Sequence, residues 1–369
     1  MRAAGPARTL GAVLGLGVLV LPAALAPADP WTVTVLAGGL ACWCLLVAAS
    51  GGTARAGPVA FVRDRLGPAP ARAVTALYFG GFATGQAAVA LAAAEFAAGR
   101  PGWGGGSDSG WGNSSFDESG WGVFALAAAV LATAAGHAAY TPYPLSAGAR
   151  RLRLGAVLGL AAAWWLLGRP TAAPSDWAPV LLTVPLLFGW VGLESAVPAL
   201  RQTGGSGPRP VSGPEAGPAG TAPPAQHFGA TLLGLVLAAG LYGLLLRPAG
   251  WLPAPHPAVL LVLGLASAAV CWTYCRTNLL ATGARWSELT AAGQRAGILA
   301  GAAVALAALL LARLAGWGTP ALLIGPGTAT AAIYLFIAVA AVRRPRPRKE
   351  PTRHDHRHRP LEGAARSAR

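Results

Sequence analysis

Two stretches of this chain place helix-breaking residues inside apolar runs, where they could do chemistry. The first is Gly11-Ala12-Val13-Leu14-Gly15-Leu16-Gly17-Val18-Leu19-Val20-Leu21-Pro22. The second is Thr183-Val184-Pro185-Leu186-Leu187-Phe188-Gly189-Trp190-Val191-Gly192-Leu193-Glu194. Glycine weakens a helix and proline weakens it more. A membrane helix tolerates them where neighbours or a cavity re-satisfy the freed backbone groups. A helix broken at mid-depth exposes N–H groups that attract a carboxylate and C=O groups that attract an ammonium. Packing is the plain alternative, since small residues four apart let helices approach closely and Gly11/Gly15 has that spacing. Gly15/Gly17 does not, because residues two apart do not share a face.

Ionisable and polar residues at membrane depth are the other candidates, because they are expensive there and retained for a reason. Glu194 reads either as a proton-linked carboxylate or gate, or as the structural partner of an arginine. Arg276 lies near the centre if its helix runs to Arg285, where it could pair with Glu194 or a substrate carboxylate. If the helix stops near Cys275, Arg276 is an interfacial residue whose charged head reaches water. Gln86 stands mid-span, lining a cavity or hydrogen bonding to a neighbouring helix. Glu95 and His137 fall near span ends and read as interfacial. Trp164, Trp165, Trp177 and Trp251 suit interfacial belts.

The elements that carry these residues follow from composition. Of 369 residues, 54% are hydrophobic and 11% charged, against about 25% charged in soluble domains. The apolar residues come in blocks, and a bilayer core of about 30 Å takes about 20 helical residues. Ten blocks read as helical spans at about 9–27, 31–50, 73–97, 121–140, 154–169, 177–199, 228–246, 257–282, 294–315 and 319–342. This excludes a soluble enzyme, a disulfide scaffold and a nucleic-acid binder, despite a net charge of +15. Cys42, Cys44, Cys271 and Cys275 all lie inside apolar blocks and read as small hydrophobes.

The expected fold is therefore an all-α integral membrane protein of about ten spans. With the N-terminus inside, 23 of the 28 basic residues fall on the cytoplasmic side, four outside, and Arg276 within a span. That is the positive-inside pattern, and it places both termini in the cytoplasm of a plasma membrane. Residues 1–26 also fit a signal peptide ending at Ala24-Leu25-Ala26; the glycine pattern favours a retained span. Residues 1–201 hold spans one to six, 202–226 form a cytoplasmic Gly/Pro linker, 227–342 hold spans seven to ten, and 343–369 form a basic, disordered tail. The tail's His354, Asp355, His356 and His358 could hold a metal weakly, but a solvated tail that attracts lipid headgroups is the plainer reading. No metal or cofactor is assigned.

Spans one and six are the first of each five-span half, and paired Gly/Pro-interrupted helices in corresponding places point to an inverted-repeat transporter. The sequence resembles bacterial permeases of the amino acid–polyamine–organocation (APC) superfamily. Gly15-Leu16-Gly17-Val18-Leu19 with Pro22 is similar to the family's unwound first helix. Gly57-Pro58-Val59-Ala60-Phe61-Val62-Arg63 with Gly67 looks like its loop after helix two. Phe188-Gly189-Trp190-Val191-Gly192-Leu193-Glu194 is similar to its sixth-helix stretch, and Asn278-Leu279-Leu280-Ala281-Thr282-Gly283-Ala284-Arg285 to the end of helix eight.

The resemblance implies two inverted five-helix repeats with discontinuous helices one and six. It also implies alternating access that carries an amino acid or amine, commonly with protons. By position, Gly15, Leu16 and Gly17, with Val18 beside them, would hold the substrate carboxylate through backbone N–H. Phe188 and Gly189, with Gly192 nearby, would offer carbonyls to the amino group. Glu194, Arg276 and Gln86 are the coupling or gating candidates. Two features depart from the family: ten spans where most relatives have twelve, and Leu16 where many carry Ser, Thr or Ala. A non-transporting or decayed permease-like scaffold is the alternative. A membrane transferase is a weaker one, because such an enzyme would need an acidic or His cluster at one membrane face.

Overall fold

The computed structural model describes residues 17–25, 35–40, 58–98, 121–167 and 256–343, with seven helical residues between 233 and 245. Every regular element among them is an α-helix: α1 Gly17–Leu25, α2 Pro58–Leu66, α3 Pro68–Ala97, α4 Trp121–Tyr140, α5 Ala147–Leu167, α6 Pro257–Leu289, α7 Gln294–Leu314 and α8 Thr319–Val342. Five of them (α3, α4, α6, α7 and α8) are long and apolar enough to cross a bilayer. The chain is a multi-pass helical membrane protein. The spans expected at 177–199 and most of 228–246 lie outside the described residues, as does the linker 202–226.

The helices begin and end where local chemistry dictates. Proline stands in the first turn of α3, α6 and α8, where its missing N–H costs nothing. His256 caps α6 by accepting from Ala258 N. Several helices overrun their apolar blocks. α6 continues two turns past the block ending at 282, to Leu289, and an Arg285–Glu288 ion pair at 2.8 Å lies in that extension. α5 starts seven residues before the block at 154, because Ser146 accepts from Ala149 N at 3.2 Å and opens a basic turn. The stretch after span two, expected as a loop, contains α2, whose Phe61 and Val62 are buried.

α3 is the central helix. It packs against α6, α8, α7, α4 and α2. Residues 85–94 are all buried, and ten consecutive buried positions cover every face of a helix. α1 likewise buries Val18, Leu19, Val20 and Leu21 in succession, packing against α5 and α8. By contrast α6, α7 and α8 expose Leu261, Leu265, Leu299, Leu310, Leu311 and Leu335, the apolar surface that lipid covers.

α3 and α6 run in opposite directions. Phe79, near the start of α3, meets Trp286 near the end of α6, and Gly264 near the start of α6 meets the Phe96 carbonyl near the end of α3. Arg63, Arg65, Arg72, Arg150, Arg151, Arg153, Arg285, Arg295 and Arg343 consequently lie at or towards one end of the bundle, while Arg276 stands deeper on α6, which runs past Arg285 to Leu289. Arg313 lies at the other.

Candidate functional site

Of the substrate-binding and coupling candidates named from sequence, Gly17, Val18, Gln86 and Arg276 are described. Gly15, Leu16, Phe188, Gly189, Gly192 and Glu194 lie outside the described residues. Gly17 and Val18 are helical and buried in α1.

Gln86 stands in the stretch of α3 that is buried on every side. Its level is ten residues, about 15 Å, from Phe96, which is half the thickness of a bilayer core. Its Nε2 donates to Phe82 O at 2.9 Å, one turn back. That leaves Oε1 to face α6, where Asn278 Nδ2 donates to it at 3.5 Å. The two carboxamides thus join α3 and α6 at mid-depth. The contact is long, at the edge of hydrogen-bonding distance. Asn278 is half-buried. The pair offers acceptor oxygens and donor N–H groups side by side, in an environment that strengthens polar contacts.

Arg276 is buried but takes no part in this pair. It stands two residues from Asn278, so its side chain leaves α6 about 200° away, towards α4. There its Nε donates to His137 Nδ1 at 2.8 Å. Its Nη2 donates to Thr141 O at 2.7 Å and Tyr143 O at 2.9 Å. These acceptors are the His137 ring in the last turn of α4 and two carbonyls of the turn that follows it, beside the partial negative charge of the helix C-terminus. The His137 ring meets Trp272 edge-on at 5.3 Å, and Trp272 Nε1 donates to Thr133 Oγ1 at 3.1 Å. Arg153 approaches α6 from α5. It donates to Thr277 Oγ1 at 2.9 Å and lies 3.9 Å from the centre of the Tyr274 ring. At the same end Arg65 donates to the Arg343 carbonyl at the end of α8.

An open groove of about 530 Å³ runs along the other side of α3. It is lined by Ala73, Ala76, Gly80 and Thr84 on α3 and by Gly325 and Ala329 on α8, among others. Thr84 is its single polar side chain and is bonded to Gly80 O at 2.8 Å. Thr84 and Gln86 point to opposite faces of α3, so the groove and the amide pair are separate features.

Sequence reasoning did not pair Gln86 with Asn278, nor Arg276 with His137. Each of these residues is a polar side chain within an apolar block, and that signal was visible. Which partner each one meets depends on how the helices are rotated.

The chain matches no protein-family model and no curated protein. Its structure is similar to that of MHP1, a nucleobase-cation-symport-1 family transporter, in a closed conformation with bromovinylhydantoin bound. The TM-score is 0.45 and the identity 14%, over 86% of this chain and 73% of that one. The likeness is confined to the arrangement of helices.

Proposed function

We propose that this protein is a secondary active transporter, a permease for an amino acid or related amine, driven by protons and working by alternating access. The observation that carries the reading is the Gln86–Asn278 pair. Two carboxamides stand at mid-depth, one on a helix segment buried on all sides, in a contact too long to be worth much as structure. An amino acid presents an ammonium that needs acceptors and a carboxylate that needs donors, and the amide pair supplies both kinds. Gly15, Leu16, Gly17 and Val18 would add backbone N–H groups, and Phe188, Gly189 and Gly192 carbonyls, as the resemblance to APC permeases implies. Gly17 and Val18 belong to α1, whose residues 17–21 are buried and which packs against α5 and α8.

Arg276, with His137, Thr141 and Tyr143 as its partners, fastens one end of α4 and serves as a gate residue. Glu194 is a candidate for coupling to protons. The arginine-rich end faces the cytoplasm of a plasma membrane, as the positive-inside rule requires. A second reading rests on the same pair: two neutral amides also match a neutral solute with an amide edge.

Uptake by proteoliposomes under a proton gradient tests both readings, using labelled amino acids, polyamines and a cyclic amide. The permease reading expects gradient-driven accumulation of an amino acid or amine, lost in Gly17→Leu and Glu194→Gln. Accumulation of the cyclic amide alone selects the second reading. A folded protein silent towards every solute overturns both and leaves a membrane scaffold.

A further inference from the structure

Three acidic residues are described: Asp64, exposed on α2; Glu288, paired with Arg285; and Glu95, two residues before the end of α3. Glu95 differs from Glu288 in having no cation at ion-pair distance among the described residues, and from Asp64 in being partly shielded from solvent. Among the described residues its one polar partner is Thr319, the first residue of α8, whose Oγ1 donates to Oε2 at 3.1 Å. Among the described residues the other groups around it are apolar or turned elsewhere. The first turn of α8 adds Pro320, Ala321 and Leu322. From α6, Gly264 reaches this level, and residues 257–267 contain nothing titratable. α7 brings Arg313 to this end of the bundle, but its guanidinium lies over Trp121 and Phe124 of α4, 4.7 and 6.0 Å from the ring centres. Trp164 of α5 packs on Phe96. Among the described residues the charge on Glu95 is therefore offset by one hydroxyl and by the N-terminal turn of α8, not by a counter-ion. A carboxylate in a membrane helix without a cationic partner is costly to keep.

We propose that Glu95 is a proton-binding group of coupled transport, beside the candidate Glu194, and that its hydrogen bond to Thr319 links proton occupancy to the contact between α3 and α8. The purpose assigned to it rests on the transport reading. A hydronium at this end gives its proton to a Glu95 carboxylate oxygen and leaves as water. The reverse transfer to water restores the anion. While ionised, Glu95 accepts from Thr319 and holds the positive end of α8 against α3. Once protonated, it loses the charge that α8 attracts, and the contact weakens.

Glu95→Gln in the full chain keeps the shape and removes the titration. In proteoliposomes, accumulation of labelled amino acids under a proton gradient should fall to the level seen without a gradient. Counterflow of the same solutes, which moves no net proton, should persist. Accumulation at the wild-type level overturns the proposal. So does loss of counterflow together with accumulation, which would mark Glu95 as structural or solute-binding. Infrared difference spectra of the purified protein across a pH series read the proton without any transport. A carboxylic-acid C=O band present in the wild type and missing in E95Q is expected, and identical spectra overturn the proposal. If that band titrates but nothing is transported, the transporter reading fails and the proton site stands.

Discussion

Arg276 on α6 donates through Nε to His137 Nδ1 on α4 at 2.8 Å, and through Nη2 to the carbonyls of Thr141 and Tyr143. One guanidinium thereby closes the end of α4 and fixes the turn that leads to α5. Arg276→Met would remove hydrogen bonds to the exposed His137 and Tyr143 and to the half-buried Thr141, at a cost of about 1.5–3 kcal/mol for hydrogen bonds to a charged group. Thermal unfolding in detergent should show a fall of several degrees. Arg276→Lys should recover less than half of it, because an ammonium cannot span three acceptors in one plane. A melting temperature unchanged in Arg276→Met would show that the fastening carries no stability.

The Gln86–Asn278 contact should behave in the opposite way. Interhelical hydrogen bonds in membranes are worth about 0.6 kcal/mol on average, and this one is 3.5 Å long. Gln86→Leu and Asn278→Leu should therefore shift the melting temperature little. Each should lower uptake by about tenfold, the factor equivalent to 1.4 kcal/mol of lost solute binding. Large destabilisation with uptake retained would make the pair structural.

Close packing between α6 and α7 rests on glycine. A Cβ on Gly297 would fall against the Trp286 Cβ and within 2.9 Å of Gly283 Cα, and one on Gly283 would lie 2.6 Å from Gln294 O. Gly297→Ala should cost about 1–3 kcal/mol through overpacking, read as a lower melting temperature and a broader elution peak. Gly155→Ala on α5 has nothing within 4 Å. It should be neutral or stabilise by up to about 1 kcal/mol, the helix preference of alanine.

Sidedness can be read by thiol labelling. Cys271 and Cys275 are fully buried and should not react. With Cys42 and Cys44 replaced by serine, a cysteine at Tyr143, beside the arginine-rich end, should react only with reagents that reach the cytoplasm. A cysteine at Trp317, at the Glu95 end, should react from outside. Reversed accessibility would invert the topology.

Much of the helical framework was legible in the chain. The blocks at 121–140 and 319–342 coincide with α4 and α8, and 294–315 with α7 to within one residue. Length and composition suffice there, because the transfer of a segment into lipid is a sum over its own residues. α2 was not legible. Nine residues with Arg63, Asp64 and Arg65 carry too weak a local signal, and the helix is held by burying Phe61 and Val62 against other helices.

Sequence alone determined that the chain crosses a membrane repeatedly as helices and that Gln86 and Arg276 are polar groups at a cost within apolar blocks, while Glu95 read as interfacial. Those properties are local: run length, hydropathy and charge belong to a segment wherever it packs. The tertiary structure decided the partners. Gln86 meets Asn278, Arg276 meets His137, and Glu95 meets Thr319, across 192, 139 and 224 residues of sequence. Each pairing depends on which faces meet when helices close on small residues such as Gly264 and Gly297, and that is a property of the assembled bundle.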